Sequence, residues 1–263
     1  MQKIDFHAHV FPDALAAKAI PALAAAAQIE PQGDGTLGGL RAAMQRDAVV
    51  AAAALGIAVT PRQTEKVNAF AETLAAEENL FSFGSVHPET PEVQQVLQGF
   101  AARGLRGVKL HPEYQRVRLS DAAFAPILEA AAALDLPVLV HAGWDFAYPD
   151  SLLCTVDDLA AVLRDHPRLK LIAAHMGGFR CWDEVEQKLA GKEVWIDTSM
   201  SAGYIDPAQA ARILRRHDPE RILFGSDWPW HTAAAEERFL LSLGLNDALL
   251  EKIFLRNAKA LMR

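Results

Sequence analysis

The sequence is poor in the features that mark secreted and membrane proteins. Its only cysteines, Cys154 and Cys181, have a spacing that fits no zinc-ribbon or redox motif, and nothing indicates an oxidising compartment. No apolar run reaches the roughly 18 residues of a membrane-spanning helix. Residues 1–10 lack the charged-then-apolar order of a signal peptide and fit a strand instead. We therefore expect a cytoplasmic protein without a membrane partner.

Positive charge is also scarce. The chain has 26 lysines and arginines against 33 aspartates and glutamates, which gives a net charge of −7. Without a basic field to displace counterions from phosphates, we expect no nucleic-acid partner. Apolar residues, in contrast, fill 51% of the 263 positions, enough for one large core. Since no linker divides the chain, residues 1–263 are expected to form a single domain.

Short apolar runs alternate with longer helical stretches along the whole chain. Eight runs are predicted to be strands: 3–10, 49–59, 80–87, 105–111, 137–141, 170–175, 193–198 and 221–226. They are nearly all apolar, as parallel strands covered on both faces are, although the alanines of the second run fit a helix equally well. Thr60-Pro61 and Asp206-Pro207 resemble helix caps followed by proline at the first helical position.

Eight strand–helix units in a chain of this length predict the α/β class and a single (β/α)8 TIM barrel. The competing architecture is an open doubly wound sheet. That fold usually carries a glycine-rich phosphate loop after its first strand, whereas the first strand here ends in His7-Ala8-His9. The barrel is therefore the better prediction.

One long irregular stretch, residues 11–39, follows the first predicted strand. Its first half is rich in alanine and is predicted to be helical. An insertion at this place would lie over the mouth of the barrel and could form a lid. A surface excursion without function is the alternative.

Histidines cluster at the carboxyl ends of the predicted strands, where barrel enzymes place their catalytic groups. Six of the nine histidines are found there: His7, His9, His87, His111, His141 and His175. Because residues two apart in a strand share a face, we expect Asp5, His7 and His9 to point into the barrel. Ile4, Phe6 and Ala8 are then expected to pack on the helices.

The fifth and eighth strands are expected to add a histidine and a carboxylate to this group. His141 and Asp227 occupy inward positions, and Gly225 beneath Asp227 leaves room above it. Imidazoles and a carboxylate are costly to bury without partners, and a divalent cation is their natural partner. A single histidine on a strand is commonly structural, so the joint placement is what predicts a metal site.

The motifs that carry these residues resemble those of the amidohydrolase superfamily. The resemblance is to the branch with aminocarboxymuconate-semialdehyde decarboxylase, resorcylate decarboxylases and pyrone-dicarboxylate lactonase. The matching segments run in the family's order: Ile4-Asp5-Phe6-His7-Ala8-His9, Gly107-Val108-Lys109-Leu110-His111-Pro112, Val140-His141-Ala142-Gly143, Ala174-His175-Met176-Gly177-Gly178, Asp197-Thr198-Ser199 and Phe224-Gly225-Ser226-Asp227-Trp228-Pro229. As a set they are specific for fold and metal, and they say little about the substrate.

The resemblance implies metal ligands at His7, His9, His141 and Asp227. It implies that His175 is catalytic in one-metal members or binds a second ion in two-metal members, where Lys109 could bridge the ions. Otherwise Lys109 binds a substrate carboxylate or pairs with Asp5 or Asp197. We expect one divalent ion, for which zinc suits the nitrogen-rich set, while manganese, iron and nickel stay open.

The same ligands serve more than one function. Metal-activated water, with Asp227 and His175 as the catalytic residues, would hydrolyse a small carboxylate-bearing amide, lactone or ester. The alternatives are non-oxidative decarboxylation of an aromatic or unsaturated acid, and a catalytically silent metal-binding barrel. A homodimer is expected from the resemblance alone.

Substrate contacts are predicted from the loops that follow the strands. The candidates are Lys109, His111, Tyr114, Trp144, Arg180 and Trp228. The tryptophans favour a flat, unsaturated substrate whose carboxylate an arginine would hold, unless they only cap the rim of the barrel.

Overall fold

The computed structural model describes residues 1–262, whose strands form one eight-stranded parallel sheet in sequence order. The strands are β1 Lys3–Ala8, β2 Val49–Leu55, β3 Leu80–Ser85, β4 Val108–Leu110, β5 Val138–Val140, β6 Leu171–Ala173, β7 Trp195–Asp197 and β8 Ile222–Leu223. The sheet curls until its edges meet, because the Phe6 N–H donates to the Phe224 carbonyl and the Asp227 N–H to the His7 carbonyl. The predicted (β/α)8 barrel is confirmed, including its alanine-rich second strand.

Helices cover the outside of this sheet. They are α1 Asp13–Ala27, α2 Leu37–Arg46, α3 Thr64–Ala75, α4 Val93–Gln98, α5 Pro112–Gln115, α6 Ala125–Ala133, α7 Val156–Asp165, α8 Trp182–Glu184, α9 Pro207–Arg216, α10 Ala233–Ser242, α11 Asp247–Glu251 and α12 Asn257–Leu261. Short 3-10 helices span Pro61–Gln63 and Ala122–Phe124, and π-helical turns span Val185–Leu189 and Lys252–Arg256. Within residues 1–262, none of these helices has the length and apolar character needed to cross a membrane.

The two predicted caps have different outcomes. Asp206 caps α9, since its side chain accepts a hydrogen bond from the Gln209 N–H. The prediction for Thr60 is wrong, because its side chain makes no capping bond. Instead, the Gln63 side chain reaches back from the helix and accepts a hydrogen bond from the Val59 N–H, which precedes it.

The barrel interior is apolar below the strand ends. Leu139, Ile172 and Leu223 pack there with Phe83 and Phe6, whereas their strand neighbours pack on the helices. Ile4 belongs to the same interior cluster. The expectation that Ile4 and Phe6 pack on the helices is therefore wrong, and only Ala8 packs outward, beside Leu40 of α2.

An irregularity in β1 explains this error. The pairing of β1 with β2 shifts register between Asp5 and Ala8, as a β-bulge does when it inserts one residue into a strand. Before the shift, Asp5 faces the helices, where its carboxylate accepts hydrogen bonds from the N–H and hydroxyl of Ser226. After it, His7 projects into the barrel, and a side chain at Gly225 would come within 3.0 Å of its Cβ. Asp5 is thus not an inward residue.

The insertion at residues 11–39 lies beside the carboxyl ends of β1 and β8. Its first half is α1, as predicted. The Gln32 N–H donates to the Pro229 carbonyl, and Gly33 lies against the indole of Trp228. The segment is therefore fastened to the loop that follows β8, at the mouth of the barrel.

We expect Gly107→Ala to destabilise the barrel by about 1–3 kcal/mol, the usual cost of overpacking a core. A Cβ at Gly107 would lie 2.3 Å from the buried ring of Phe83. Gly38→Ala in α2 is the matched control, because its nearest neighbour would be 3.7 Å away. Urea unfolding measures both, and equal stability of the two variants would contradict the inward packing of Phe83.

Candidate metal centre

His7, His9 and Asp227 lie together at the carboxyl end of the barrel. One ligand atom from each lies within 4.8 Å of the others. The Nε2 atoms of His7 and His9 are 3.4 and 3.3 Å from Oδ1 of Asp227. All three residues are buried. The β1 bulge and the chain after β8 therefore bring three of the four predicted ligands together.

Hydrogen bonds on the far side of each imidazole fix its tautomer. Nδ1 of His7 lies 2.8 Å from Oδ2 of Asp197, and Nδ1 of His9 lies 3.0 Å from the Leu55 carbonyl. Because both partners are acceptors, each Nδ1 carries the proton and each Nε2 keeps its lone pair. Those lone pairs face the space beside Asp227. The sequence suggested Asp197 only as a partner of Lys109, so its role in orienting His7 is a finding of the structure.

His175 links His7 to His141. The rings of His7 and His175 stack with centroids 5.2 Å apart, and Nε2 of His175 lies 3.0 Å from Nδ1 of His141. Nδ1 of His175 faces the carbonyl of Ser199 and so carries a proton, which leaves Nε2 to accept the proton of His141. Nε2 of His141 is then unprotonated, and it is buried without a hydrogen-bond partner.

His141 lies in a second group, with His111 and Asp145, rather than in direct contact with the first. Its ring stacks on that of His111 at 4.1 Å, and Oδ2 of Asp145 is 3.4 Å from Nε2 of His111 and 4.0 Å from Nε2 of His141. Asp145 was missed in the sequence. The available signal was an acidic residue four positions after His141, in the loop that follows β5.

Lys109 lies beneath these groups and is fully buried. Its Nζ is 3.2 Å from Nε2 of His7. Burial lowers the pKa of Lys109 to about 8, against the opposing effect of the Asp227 and Asp197 carboxylates. The suggested pairing with Asp5 is wrong, because Asp5 faces the helices on the other side of β1.

The electrostatics of the cluster suit a cation. Burial lowers the pKa of His7, His111 and His141 well below the usual range, so these imidazoles are neutral at pH 7. Burial also opposes ionisation of Asp227, but the net effect of the surrounding polar groups holds its pKa below its usual range. Neutral nitrogen donors, one carboxylate and the orphaned nitrogen of His141 fit the ligand preferences of a divalent metal.

The cluster opens into a cavity of about 520 Å³, within the range of ligand pockets. Three predicted substrate contacts, His111, Tyr114 and Trp144, line it. Trp230, in the loop after β8, also lines it, as does Phe146, which was not predicted from the sequence.

Trp228 and Arg180, which were also predicted to contact the substrate, are not in the cavity lining. Trp228 packs on Gly33 and in the cluster beneath α2. The guanidinium of Arg180 lies 5.0 and 5.4 Å from the ring centroids of Phe146 and Phe179. The insertion covers Trp228, and Arg180 is an exposed residue stacked on two rings of the cavity lining.

His87 has a structural environment. Its Nε2 lies 3.1 Å from the Gln115 carbonyl, and its Nδ1 accepts from the Glu89 N–H. Both ring nitrogens are therefore used in fastening neighbouring loops.

Glu113 borders the second histidine group. Its Oε1 accepts a hydrogen bond from the Leu153 N–H, while Oε2 is buried without a partner and lies 3.7 Å from Nδ1 of His111. Burial raises the pKa of Glu113 to about 7. The carboxyl group is therefore close to half-protonated at neutral pH.

The sequence matches a known protein family over almost its whole length. The family model described as amidohydrolase matches residues 4–263. No curated protein matches the chain in a search by similarity.

Solved structures share the fold over nearly the whole chain. 5-Carboxyvanillate decarboxylase LigW from Sphingomonas paucimobilis is 18% identical, with a TM-score of 0.72 over 100% of this chain and 99% of that one. A candidate 2-pyrone-4,6-dicarboxylic acid hydrolase from Pseudomonas putida is 21% identical, with a TM-score of 0.67 over 99% and 97%. LigW2 from Novosphingobium aromaticivorans, solved with bound manganese, is 14% identical, with a TM-score of 0.75 over 99% and 97%. At these identities the likeness establishes the fold alone.

The raised pKa of Glu113 predicts a pH-dependent stability. The folded state favours the protonated carboxyl, so its stabilising effect is complete below the unfolded pKa of 4.5 and is lost as the pH rises to about 7. Relative to the native chain, Glu113→Gln should therefore gain up to about 3 kcal/mol between pH 4.5 and 8. Urea unfolding across this range measures it, with Glu129→Gln on α6 as the exposed control. A difference that does not change with pH would contradict the prediction.

Proposed function

Since the chain belongs to the amidohydrolase family, we propose that it is a metal-dependent hydrolase of a small carboxylate-bearing amide, lactone or ester. One observation carries the proposal. The unprotonated Nε2 atoms of His7 and His9 converge with Oδ1 of Asp227 in a buried cluster that opens into a cavity. A metal-dependent hydrolase needs a cation, a water molecule and substrate at one point, and this cluster would provide that point.

His7, His9, His141 and Asp227 would hold one ion. When bound, a divalent ion supplies Lewis-acid catalysis and lowers the pKa of a water molecule to about 7. Zinc suits three nitrogens and one carboxylate. Manganese is the alternative, supported by its presence in the LigW2 structure. His111 and Asp145 stand beside His141, so a second ion is a separate outcome of metal analysis.

The catalytic roles fall to Asp227 and His175. Asp227 is ionised at neutral pH, so it can accept a hydrogen bond from the attacking water and orient it. His175 lines the same cavity. With a proton on Nε2, in place of the hydrogen bond that it accepts from His141, it would polarise the substrate carbonyl or protonate the leaving group. Lys109, buried beside His7, would place a positive charge beneath the site, and this charge would balance the negative charge of Asp227.

Decarboxylation of an aromatic or unsaturated acid is the second candidate. The observation in its favour is the aromatic wall beside the metal cluster, where Tyr114 stacks on His111 at 4.1 Å and Trp144 and Trp230 line the cavity. A flat acid would fit against these rings. The same ligands would then gather the oxygens of the substrate, with an acid protonating the carbon that loses carbon dioxide.

Residues 11–39 are proposed as the cover of this site. Phe11, Pro12 and Leu15 line the cavity, and the backbone of Gln32 is bonded to the loop after β8. A cover that excludes water would favour either reaction. A homodimer, expected only from resemblance, stays a prediction.

A substrate panel separates the candidate functions. Metal-reconstituted protein should release acid from a member of a set of amides, lactones and esters that carry a carboxylate. Release of carbon dioxide from aromatic acids, without acid release from the first set, would replace the hydrolase with the decarboxylase. Metal uptake without either product would indicate the silent metal-binding barrel.

Removing a ligand should remove the metal and the activity together. We expect His7→Ala and Asp227→Ala to lose most of their bound ion, since each contributes a ligand atom to the converging cluster. His166→Ala, at the end of α7, is the matched control and should keep both. Plasma emission measures the metal content. Full occupancy in Asp227→Ala would contradict the ligand assignment.

A further inference from the structure

The cavity extends well beyond the metal cluster, into the space between α1 and α3. We call this part the apolar lobe; its walls are formed by Leu15, Leu23, Ala27, Val67, Phe70 and Leu74. It is continuous with the part that contains His7, His9 and Asp227. A molecule bound at the cluster can therefore reach into the apolar lobe without crossing solvent-filled polar space.

Two helices build the lobe because each has more apolar surface than the core covers. In α1, Ala16, Ile20 and Ala24 are buried against the rest of the protein. Leu23 and Ala27, one helical turn apart, line the lobe instead. In α3, Val67, Phe70 and Leu74 follow the three- and four-residue spacing of one helix face, and that face also lines the lobe.

The lobe offers little to a charged group. Among the described residues that line the cavity, Lys66 is the only lysine or arginine, and it is exposed on α3. Gln63, at the end of the 3-10 helix that precedes α3, is also in the lining, and it too is exposed. A second carboxylate placed in the lobe would lose its hydration without gaining a buried ionic partner.

The volume also exceeds what a single ring needs. A cavity of about 150 Å³ accommodates a benzene molecule, whereas the whole cavity here measures about 520 Å³. One aromatic ring beside Trp144 would leave most of the space unfilled. An apolar chain would fill the remainder and remove the lobe walls from water, which is favourable in proportion to the area buried.

We propose that the substrate carries a flexible apolar chain of several carbons, which occupies the apolar lobe while its reacting group lies at the metal cluster. This proposal rests on the proposed function, because it assumes that the reacting group is held by a metal at His7, His9 and Asp227. It narrows the substrate class to an amide, lactone or ester with an alkyl or acyl tail.

The test uses linear alkyl hydroxamates of two to ten carbons, which chelate divalent metals through one end. Their Kd for the zinc-reconstituted protein is measured by isothermal titration calorimetry. Each added methylene should tighten binding by about fourfold, as complete burial of a CH₂ predicts, until the lobe is full. Affinity that is the same at every chain length would overturn the proposal and leave the metal-dependent function intact.

Variants locate the chain in the lobe. Val67→Trp should fill the lobe and abolish the dependence on chain length, with the Kd of acetohydroxamate changed less than about twofold. Ala27→Trp closes the lobe from α1 and covers the case in which Val67→Trp does not fold. Ala69→Trp, on the exposed side of α3, is the control and should keep the full dependence. If Val67→Trp and Ala27→Trp both behave like Ala69→Trp, the chain is not in the lobe.

A probe without a chelating group separates the two proposals. 1-Octanol should bind the metal-free protein and lose its binding in Val67→Trp but not in Ala69→Trp. If octanol behaves in this way while no hydroxamate binds, the metal-site proposal is contradicted and the proposal that an apolar chain occupies the lobe is supported. If octanol binds all three proteins equally or binds none, the lobe proposal fails whatever the metal does.

Discussion

One extra residue in β1 decides which side chains reach the centre of this barrel. A regular strand would turn Asp5, His7 and His9 to the same side. The register shift between Asp5 and Ala8 leaves Asp5 under the helices and turns His7 and His9 toward Asp227. Phe6, on the inward side before the shift, fills the interior below and packs edge-on against Phe83 at 5.7 Å. Phe6 of the apolar interior and His7 of the polar cluster above it are therefore adjacent residues of one strand.

The polar cluster depends in turn on acceptors outside it. Asp197 fixes the ring of His7, the Leu55 carbonyl fixes His9, and the Ser199 carbonyl fixes His175, which then orients His141. Each acceptor keeps the proton of its histidine on Nδ1. His7, His9 and, through His175, His141 are thereby left with an unprotonated Nε2. Such partners are as much part of a metal site as the ligands are, since they set the tautomer before the ion arrives.

Sequence reasoning succeeded where strands are regular and failed where they are not. Alternation placed His141 and Asp227 inward, with Gly225 beneath Asp227, and both positions are confirmed as inward. The same rule misplaced Asp5, Ile4 and Phe6, because a bulge arises from pairing with two neighbouring strands and leaves no signal in β1 alone. Asp145 and Trp228 lie in loops, where position depends on packing by segments far away in sequence. The Trp228 ring, for example, is held by Gly33 of the insertion.

The structure also explains why motifs specify the chemistry better than the substrate. The proposed ligand atoms come from the ends of barrel strands, whose positions are fixed by hydrogen bonds to neighbouring strands on both sides. The apolar lobe comes from α1 and α3, which pack against the barrel through side chains and can change without disturbing a ligand. Helix α1 belongs to the insertion that follows β1, so the pairing of the strands does not restrict its length or composition. On the proposals made above, the strand ends determine the reaction class and the helices determine the substrate, so a motif drawn from the strands contains information on the reaction class alone.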